Sequence, residues 1–306
     1  MILEKEEYPA RNVKQAMRVR EADSMIQSIF SIEVELVVQA IFLRYGYNFR
    51  DYSRASVKRR IAARLKKEGL DNMAALQHKI LHQPDFFEEI IDDFSINVTE
   101  MFRDPEFYLL MREKVFPVLQ QRKSLKVWHA GCGSGEEVYS LAIFFYENGM
   151  CDNTQFYGTD INNRSLEKAK AGEISIKNLR NYNANYQAAG GNSSLVDYFT
   201  LTATMARLND NIRKNLFFTE HNLVHDQVFG EMDLILCRNV LIYFNEKLQR
   251  RVLRLLQKSL RPGGYICLGM KESLYFSPDR DNFEVVDGRV NIFRLKGKVE
   301  KDSGHG

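Results

Sequence analysis

The segment Val127–Leu141, VWHAGCGSGEEVYSL, constrains the fold of this chain more than any other. A short apolar strand pattern runs into a glycine-rich turn, and a helical pattern follows it. Gly131, Gly133 and Gly135 have no Cβ, so the backbone can turn sharply there and lie against a ligand. A second strand pattern, FYGTD, ends at Asp160, where an acidic residue accepts hydrogen bonds from ribose hydroxyls in doubly wound sheets. Together the two segments predict a nucleoside-cofactor site in an α/β domain.

The residues after the glycines discriminate between nucleoside cofactors. Dinucleotide sites use G-x-G-x-x-G and rest a pyrophosphate on the helix N-terminus. In this chain the spacing is G-x-G-x-G, and Glu136 and Glu137 follow with negative charge where a phosphate would lie. The pattern favours a cofactor with a cationic end, and S-adenosylmethionine, with its sulfonium and ammonium groups, fits. The plainer alternative is a glycine turn in an ordinary α/β protein.

Composition sets the broad class. The chain has 306 residues, 44% of them hydrophobic and 27% charged, which is ordinary for a globular protein of one large or two modest domains. No apolar run approaches the roughly 20 residues that span a bilayer. The first residues, MILEKEEYPA, are too acidic and polar for a signal peptide. We therefore expect a cytoplasmic protein with no membrane insertion, and a monomer by default.

The cysteines and the net charge give further expectations. Cys132, Cys151, Cys237 and Cys267 are scattered singly, which predicts buried free thiols and no metal site. A net charge of +3 by itself implies no nucleic-acid partner.

The first part of the chain, residues 1–93, is expected to form an all-helical domain. From Ser53 the pattern SRASVKRRIAARLKKEG places Val57, Ile61 and Leu65 one helical turn apart, with Gly69 as the C-terminal stop.

The same helix carries a basic stripe, Arg60, Arg64 and Lys67, almost uninterrupted by acidic residues. We interpret these three as docking residues for a partner with an acidic surface; plain solvation of a charged face is the alternative.

Residues 94–300 show strand and helix patterns in alternation, which predicts a doubly wound, mostly parallel sheet with helices on both faces. The helix patterns begin at Glu136, Ser165 and Glu246, and Asp104 before Pro105 reads as an N-cap. A polar interval at about residues 173–216, with the strand-like DYFTLT, predicts a small inserted β-subdomain. The strand patterns are KVWHAG, QFYGTD, MDLILC, YICLG and VNIFRL.

Several separated motifs resemble one family. INVTEMFRDPEFY is similar to its segment N-x-T-x-F-F-R followed by an acid, and GCGSGEEVYSLAI to its loop G-C-(A/S)-(S/T)-G-E-E-P-Y-S. GTDINNRSLEKAKAG, HNLVHD, DLILCRNVLIYF and LRPGGYICLG follow in the expected order. On these motifs the chain is identified as a member of the CheR-type chemoreceptor glutamate methyltransferases.

The resemblance implies an S-adenosylmethionine-dependent enzyme that methylates glutamate side chains on the cytoplasmic helical bundle of a chemoreceptor and releases S-adenosylhomocysteine. It implies that Arg103 and Tyr243 are catalytic. The cofactor-binding positions that it implies are Asn97, Thr99, Arg103, Gly131, Glu137, Asp160, Asn222, Leu223, Arg238 and Asn239.

Some positions depart from the family pattern. Val138 replaces the proline after Glu-Glu, and Met101 replaces a phenylalanine. The family's G-H-S-E turn reads Gly269 to Glu272 with Met and Lys in the middle, so its histidine and serine have no counterpart. Where some members carry a glycine-rich loop that holds a receptor's C-terminal pentapeptide, this chain has only MARLND. We therefore expect it to act without that tether.

Each candidate residue has a structural alternative. Arg103 is suited to orient a carboxylate. The alternatives are that it caps the linker, the segment around INVTEMFRDPEFY that leads into the second domain, or that it pairs with Asp104. Tyr243 either donates a hydrogen bond to the acceptor or is a core aromatic. The alternative for the asparagines and Thr99 is that they only close turns. His129 and His221 are interpreted as structural, because a glutamate nucleophile needs no general base.

Three other functions stay open from the sequence. The first is a methyltransferase of this fold that acts on another protein, a small acid or RNA. The second is a non-catalytic adaptor that keeps the cofactor pocket. The third is nucleic-acid binding through the basic helix, which is disfavoured because no aromatic residue interleaves with its charges.

Overall fold

The computed structural model describes residues 29–95 and 99–297. Chain packing divides the protein into two compact units, residues 1–90 and 91–306. The expected domain limits, 1–93 and 94–300, stay a prediction. Asn97 lies outside the described residues.

The first unit is helical. Helix α1 is described over residues 29–45, and α2 (Arg54–Glu68), α3 (Met73–His82) and α4 (Pro84–Phe94) follow, the last of which continues past residue 90. Helix α2 ends at Gly69, whose φ of 61° is the left-handed conformation that glycine adopts at a C-cap. Val57 and Ile61 are buried, as their spacing predicted, and Leu65 is half-buried.

The predicted basic stripe on α2 is wrong for two of its three residues. Arg60 is only 6% exposed, and its Nε donates to Ser56 Oγ at 3.1 Å. The Arg64 side chain is 2% exposed because acidic and aromatic neighbours surround its guanidinium: Glu68 at 3.2 Å, Glu89 at 2.6 Å and the Phe86 ring at 5.6 Å. The cations that α2 exposes are Arg54, which pairs with Glu35 at 2.7 Å, and Arg59, Lys66 and Lys67.

The second unit is built on a seven-stranded sheet in the order β6-β2-β1-β7-β8-β10-β9. Neighbouring strands from β6 to β8 run parallel, whereas β10 is antiparallel to both β8 and β9. The strands are β1 (Leu125–Ala130), β2 (Thr154–Asp160), β6 (Leu216–Glu220), β7 (Met232–Cys237), β8 (Leu260–Leu268), β9 (Phe283–Asp287) and β10 (Ile292–Leu295). The doubly wound, mostly parallel architecture is confirmed. Strands β6 and β9, which the sequence patterns did not separate from their surroundings, form the two edges.

Two short helices precede β1: α5 (Pro105–Leu110) and α6 (Phe116–Leu119), joined by a π-helical turn, Met111–Val115. The helices that connect strands of the large sheet are α7 (Glu136–Glu147), α8 (Asn163–Ala171) and α11 (Glu246–Lys258). Buried aromatic rings pack these helices into the core of this unit. Phe116 contacts Phe144 and Phe145 of α7 at centroid distances of 4.9 and 4.7 Å, and Phe145 meets Phe156 of β2 at 5.3 Å.

The inserted β-subdomain is confirmed as a separate three-stranded antiparallel sheet in the order β3-β5-β4. Its elements are β3 (Glu173–Ser175), α9 (Ile176–Ala188), β4 (Phe199–Leu201), β5 (Met205–Leu208) and α10 (Asp210–Arg213). Only residues 202–204 separate β4 from β5.

Two kinds of feature are absent from residues 29–95 and 99–297. No helix there combines the length and the apolar character that crossing a membrane requires. Nor does this part of the chain bring three or more His, Cys, Asp or Glu side chains together as a metal site would require.

Candidate functional site

The glycine turn lies at the carboxyl end of β1. The backbone N–H groups of Gly131 and Cys132 both donate to Thr159 O of β2, at 2.8 and 2.9 Å. Gly131 has a φ of 81°, and a Cβ there would lie 2.5 Å from Val240 Cγ2. Only glycine allows the loop after β7 to approach this closely. The turn is therefore shaped by tertiary packing as well as by its own backbone.

Asp160 ends β2 beside that turn. Its Oδ2 accepts the Gly133 N–H at 2.9 Å, and its Oδ1 accepts the Asn162 N–H at 3.0 Å. Burial raises the pKa of Asp160 above its ordinary value, although these N–H groups oppose the rise. Each carboxylate oxygen keeps a lone pair. The carboxylate is thus fixed in orientation and still able to accept two ribose hydroxyls.

Asn162 holds the chain that leaves Asp160. Its Oδ1 accepts the Ser165 N–H and caps α8, while its Nδ2 donates to Asp92 Oδ1 at 2.8 Å and to Ser95 Oγ at 2.6 Å. Its side chain is buried with its hydrogen-bonding atoms engaged. The turn after β2 is consequently anchored to the segment that precedes the linker.

Glu137, two residues after the glycine turn, pairs with the buried side chain of Arg238. Glu137 Oε2 lies 3.1 Å from Arg238 Nη1, and Glu137 Oε1 lies 3.1 Å from His129 Nδ1. Burial would raise the pKa of Glu137, but the hydrogen bond from His129 and the charge of Arg238 outweigh it and hold that pKa below its ordinary value. Arg238 also pairs with Asp104 at 2.6 Å and stacks over the Phe107 ring at 4.3 Å. Glu137 is therefore ionised and held in place by the protein itself.

Asp104 occupies the predicted N-cap position of α5, with Pro105 at the first helical position, but the expected side-chain cap is wrong. Asp104 precedes α5, but its φ of 55° is left-handed and its side chain makes no capping hydrogen bond. Its carboxylate accepts a hydrogen bond from the Arg238 guanidinium instead. Compensating the buried charge of Arg238 stabilises the protein more than one N-cap hydrogen bond would. A contact between residues distant in the sequence has thus replaced the side-chain cap that the local sequence predicted.

The linker around Arg103 is held on both sides. Tyr182 and Asn185 of α9 donate to the carbonyls of Thr99 and Met101, at 3.4 and 3.2 Å. The Phe102 N–H donates to Ser140 Oγ of α7 at 2.9 Å. Phe102 and Asp104, on either side of Arg103, both have positive φ, of 52° and 55°. The backbone is thereby fixed in a conformation that few residues adopt unless their surroundings impose it.

The loop after β7 carries Arg238, Asn239 and Tyr243. Asn239 is left-handed, with a φ of 63°, and a short 3-10 helix, Leu241–Tyr243, leaves Tyr243 half-buried. Four consecutive N–H groups of this loop donate to the carboxylate of Glu272: those of Asn239, Val240, Leu241 and Ile242. Glu272 is not among the site residues that the sequence predicted. The signal that was available is that Glu272 preserves the glutamate of the family's G-H-S-E turn.

The loop after β6 carries the two predicted adenine neighbours. Leu223 is buried. Asn222 uses its backbone N–H on Asp226 Oδ2 at 2.7 Å and accepts the Val224 N–H with its Oδ1 at 2.9 Å. The side chain of Asn222 therefore closes a turn, as its structural alternative predicted, and leaves its amide nitrogen available.

These features share one edge of the sheet. The carboxyl ends of parallel β1, β2, β6 and β7 carry the glycine turn, Asp160, Asn222 and Arg238. In the sheet, β2 lies on one side of β1 and β7 lies on the other, so the strand order reverses between β1 and β7. Ligands of doubly wound sheets bind at such a switch point. The site thus has the position, the fixed acidic acceptor and the close backbone approach that a nucleoside cofactor needs.

Comparison with known proteins identifies the family. The model of the CheR methyltransferase all-alpha domain matches residues 32–95, and that of the CheR methyltransferase SAM-binding domain matches residues 97–292. The chain belongs to the CheR methyltransferase family. Its second unit therefore contains a domain that binds S-adenosylmethionine.

Relatives of this CheR-family chain differ in length. It is 45% identical to the Pseudomonas putida protein Cher3 over 86% of this chain and 96% of that one. It is 32% identical to a 104.1 kDa protein of Rhodobacter capsulatus over 84% of this chain but only 27% of the other. It is 31% identical to the chemotaxis protein methyltransferase of Vibrio parahaemolyticus, with 67% of this chain and 75% of that protein covered.

The residues present fit S-adenosylmethionine. A Cβ at Gly131 would fill the narrow space under the turn, Asp160 offers a carboxylate to ribose hydroxyls, and Glu136 and Glu137 place negative charge in the first turn of α7. That charge suits the cationic methionine end of the cofactor and would repel a phosphate.

Proposed function

We propose that this CheR-family enzyme transfers a methyl group from S-adenosylmethionine to glutamate side-chain carboxylates on the cytoplasmic helices of a chemoreceptor. The main support is the loop after β7, which packs Val240 against the glycine turn and carries Arg238 and Tyr243 to the cofactor edge. The name of the Vibrio relative, chemotaxis protein methyltransferase, supports the receptor as the substrate.

The proposed reaction requires little acid–base catalysis from the protein. A free glutamate has a pKa of about 4.3, so the acceptor is already an ionised nucleophile near neutral pH. When bound, S-adenosylmethionine supplies a methyl group on a sulfonium, and transfer of that group to a carboxylate oxygen gives a methyl ester and S-adenosylhomocysteine. The residues of this chain then have to orient the acceptor, align it and remove part of its water.

Arg103 and Tyr243 are the side chains to which we assign that work. Arg103 lies on a linker whose backbone is fixed on both sides, so its two-donor fork can orient a carboxylate with little loss of freedom. Tyr243 can donate one hydrogen bond to the acceptor without protonating it. His129, bound to Glu137, is not needed as a base.

The acidic partner surface is a receptor bundle that presents glutamates. Since Arg60 and Arg64 are buried, we assign docking to Arg59, Lys66 and Lys67, which are exposed on α2. The remaining exposed cation of this helix, Arg54, pairs with Glu35. Exposed Ala62 and Ala63 lie between Arg59 and Lys66 and leave room for a helix to approach. Long-range attraction of this kind raises the rate of encounter more than the final affinity.

We also propose that a C-terminal receptor tether is dispensable. The segment MARLND, where the sequence suggested a short loop, instead begins with strand β5 (Met205–Leu208). The turn between β4 and β5 has only Thr202, Ala203 and Thr204, which is short for a loop that must hold a peptide. Methylation of one receptor should be nearly equal with and without its last residues. A large loss of rate on removing that tail would contradict this proposal.

The direct test is transfer of radiolabelled methyl from S-adenosylmethionine to the purified cytoplasmic fragment of a candidate receptor. We expect alkali to release the label as methanol, because carboxyl methyl esters are base-labile and N-methyl groups are not. A receptor fragment whose methylatable glutamates are changed to alanine is the control. Cofactor binding without label on any receptor would refute the proposed acceptor and leave the family assignment intact.

A further inference from the structure

Glu272 is a buried carboxylate at the turn after β8, and it has no part in the chemistry described above. It is 6% exposed. Its two oxygens accept five backbone N–H groups: those of Asn239 at 2.9 Å, Val240 at 2.8 Å, Leu241 at 2.7 Å, Ile242 at 3.4 Å and Gly269 at 2.6 Å. Four of these donors belong to the loop that joins Arg238 to Tyr243. One side chain therefore satisfies most of the donors of that loop.

Two amide side chains complete the arrangement. Gln249 of α11 donates to the carbonyls of Leu241 and Phe244, at 3.1 and 3.0 Å, and so holds the loop by its acceptors. Asn291 donates to the carbonyls of Gly269 and Glu272, at 2.8 and 2.9 Å, and so holds the turn that carries the carboxylate. The loop is thus braced from two separate elements.

Only a carboxylate and a glycine fit this arrangement. Glutamine has the same shape as glutamate but a single acceptor oxygen, and its amide N–H groups would face other N–H donors. A Cβ at Gly269 would lie 2.7 Å from Glu272 Oε2 and 2.8 Å from Asn239 N. An N–H group left unpaired in a buried place is costly, so the loop would have to move.

We propose that Glu272 is a positioning residue for methyl transfer, which it serves by fixing the loop from Asn239 to Ile242 and hence Arg238 and Tyr243 at its ends. The inference rests on the proposed function, which places Arg238 and Tyr243 at the cofactor edge and assigns the orientation of the acceptor to Tyr243. Glu272 acts through the loop alone. Val240 in the middle of the loop contacts Gly131, so the same brace also sets the distance between the loop and the cofactor turn.

The test compares Glu272→Gln with Asp233→Asn in the full-length protein. Asp233 is the control, since it is a fully buried carboxylate near the start of β7, at the end of that strand away from the braced loop. It accepts the Lys126 N–H at 2.8 Å and pairs with Arg122 and Arg261. Hydrogen exchange of the amides at 239–242 and 269 should be about tenfold faster or more in Glu272→Gln, as expected for lost hydrogen bonds. Asp233→Asn should leave those amides protected.

Kinetics give the second readout. With a receptor fragment as acceptor, we expect Glu272→Gln to lower kcat by about 100-fold, the order of loss for reacting groups displaced by about 1 Å. The cofactor Kd should change much less, and Glu272→Asp, which keeps the charge, should recover part of kcat. If Glu272→Gln does not fold, Gln249→Leu removes the other brace and should show the same pattern more weakly.

The two proposals fail in different ways. If wild-type protein labels no receptor, the proposed function fails, while faster exchange at 239–242 and 269 still supports the brace. Unchanged exchange of those amides in Glu272→Gln would overturn the positioning role, and so would a fall in kcat no larger than that of Asp233→Asn.

Discussion

Single charged side chains in this site are held by partners far away in the sequence. Arg238 pairs with both Asp104 and Glu137. The Arg238 side chain is almost fully buried, and the two carboxylates together compensate a charge that water hardly reaches. These side chains are therefore ionised and fixed in position before a ligand binds.

We expect Arg103→Ala and Tyr243→Phe to reduce turnover more than cofactor affinity. Both side chains are assigned to the acceptor, so each change should lower kcat at least about tenfold, the equivalent of one good hydrogen bond. Equilibrium binding of S-adenosylmethionine measures the cofactor affinity, and steady-state methylation measures kcat. Arg251→Ala and Tyr275→Phe, at exposed positions, are the matched controls. Equal losses of kcat and affinity would contradict the catalytic assignment.

Asp160 predicts a pH dependence of cofactor binding. The ionised carboxylate is the better acceptor for ribose hydroxyls, and burial raises the pKa of Asp160. Affinity should therefore fall as the pH drops through that raised pKa, beginning above the value of about 3.9 for an ordinary aspartate. Calorimetric titration of S-adenosylmethionine at several pH values measures this.

The comparison variant for that measurement is Asp160→Asn. It should bind about 10- to 100-fold more weakly near neutral pH, as loss of charge-assisted hydrogen bonds implies, and with a flatter pH profile. Asp281→Asn, at a highly exposed aspartate, should match the wild type. Identical pH profiles for wild type and Asp160→Asn would rule out Asp160 as the titrating group.

At the scale of elements, loops that are distant in sequence shape one another. The glycine turn after β1 is hydrogen-bonded to β2 and touched by the loop after β7, while that loop is held by the turn after β8. Each connection alone is a short irregular segment. Together they form a rigid rim on the carboxyl edge of the sheet, which is where precise placement of reacting groups matters.

Gly131→Ala tests this mutual fit. The new Cβ would meet Val240 at 2.5 Å and also strain a φ of 81°. Gly149→Ala is the matched control, since its φ is 70° but no atom lies within 4 Å of a Cβ there. Both variants should lose about 1–2 kcal/mol of stability from the left-handed backbone. Only Gly131→Ala should also weaken S-adenosylmethionine binding, and an equal effect of the two would show that contact with Val240 is unimportant.

At the scale of the whole molecule, the chain combines a helical unit that exposes basic residues with a sheet unit that holds the cofactor site. The exposed cations are those of α2 that face away from its buried Val57 and Ile61. Attraction between such a surface and an acidic receptor depends strongly on ionic strength, because the screening length falls from about 30 Å at 0.01 M salt to about 8 Å at 0.15 M.

Charge reversal at Lys66 and Lys67 should therefore lower kcat/KM about tenfold at low salt and much less at physiological salt. The value of kcat at saturating receptor should stay near that of the wild type. The paired control is reversal of Lys123 and Lys258, two exposed lysines of the sheet unit. If kcat/KM changed neither with ionic strength nor with charge reversal, the proposed docking role of α2 would be contradicted.

The sequence alone determined those features that depend on neighbouring residues or on a regular period. The alternation of strand and helix patterns, the glycine turn, Asp160 at a strand end and the Gly69 stop were all predictable, because backbone conformation and burial periodicity are local. The family motifs added the identity of the cofactor.

Tertiary structure alone decided which polar groups meet. Arg64 reads as part of an exposed stripe until Glu89 of α4 is seen to pair with it, and Asp104 reads as a cap until β7 brings Arg238 beside it. Glu272 lies about 30 residues beyond the loop that it braces, and only the adjacency of β7 and β8 brings the two together. Contacts of this kind follow from the way helices and strands pack in three dimensions, which no local pattern encodes, because a hydrogen bond is set by distance in space and not by separation along the chain.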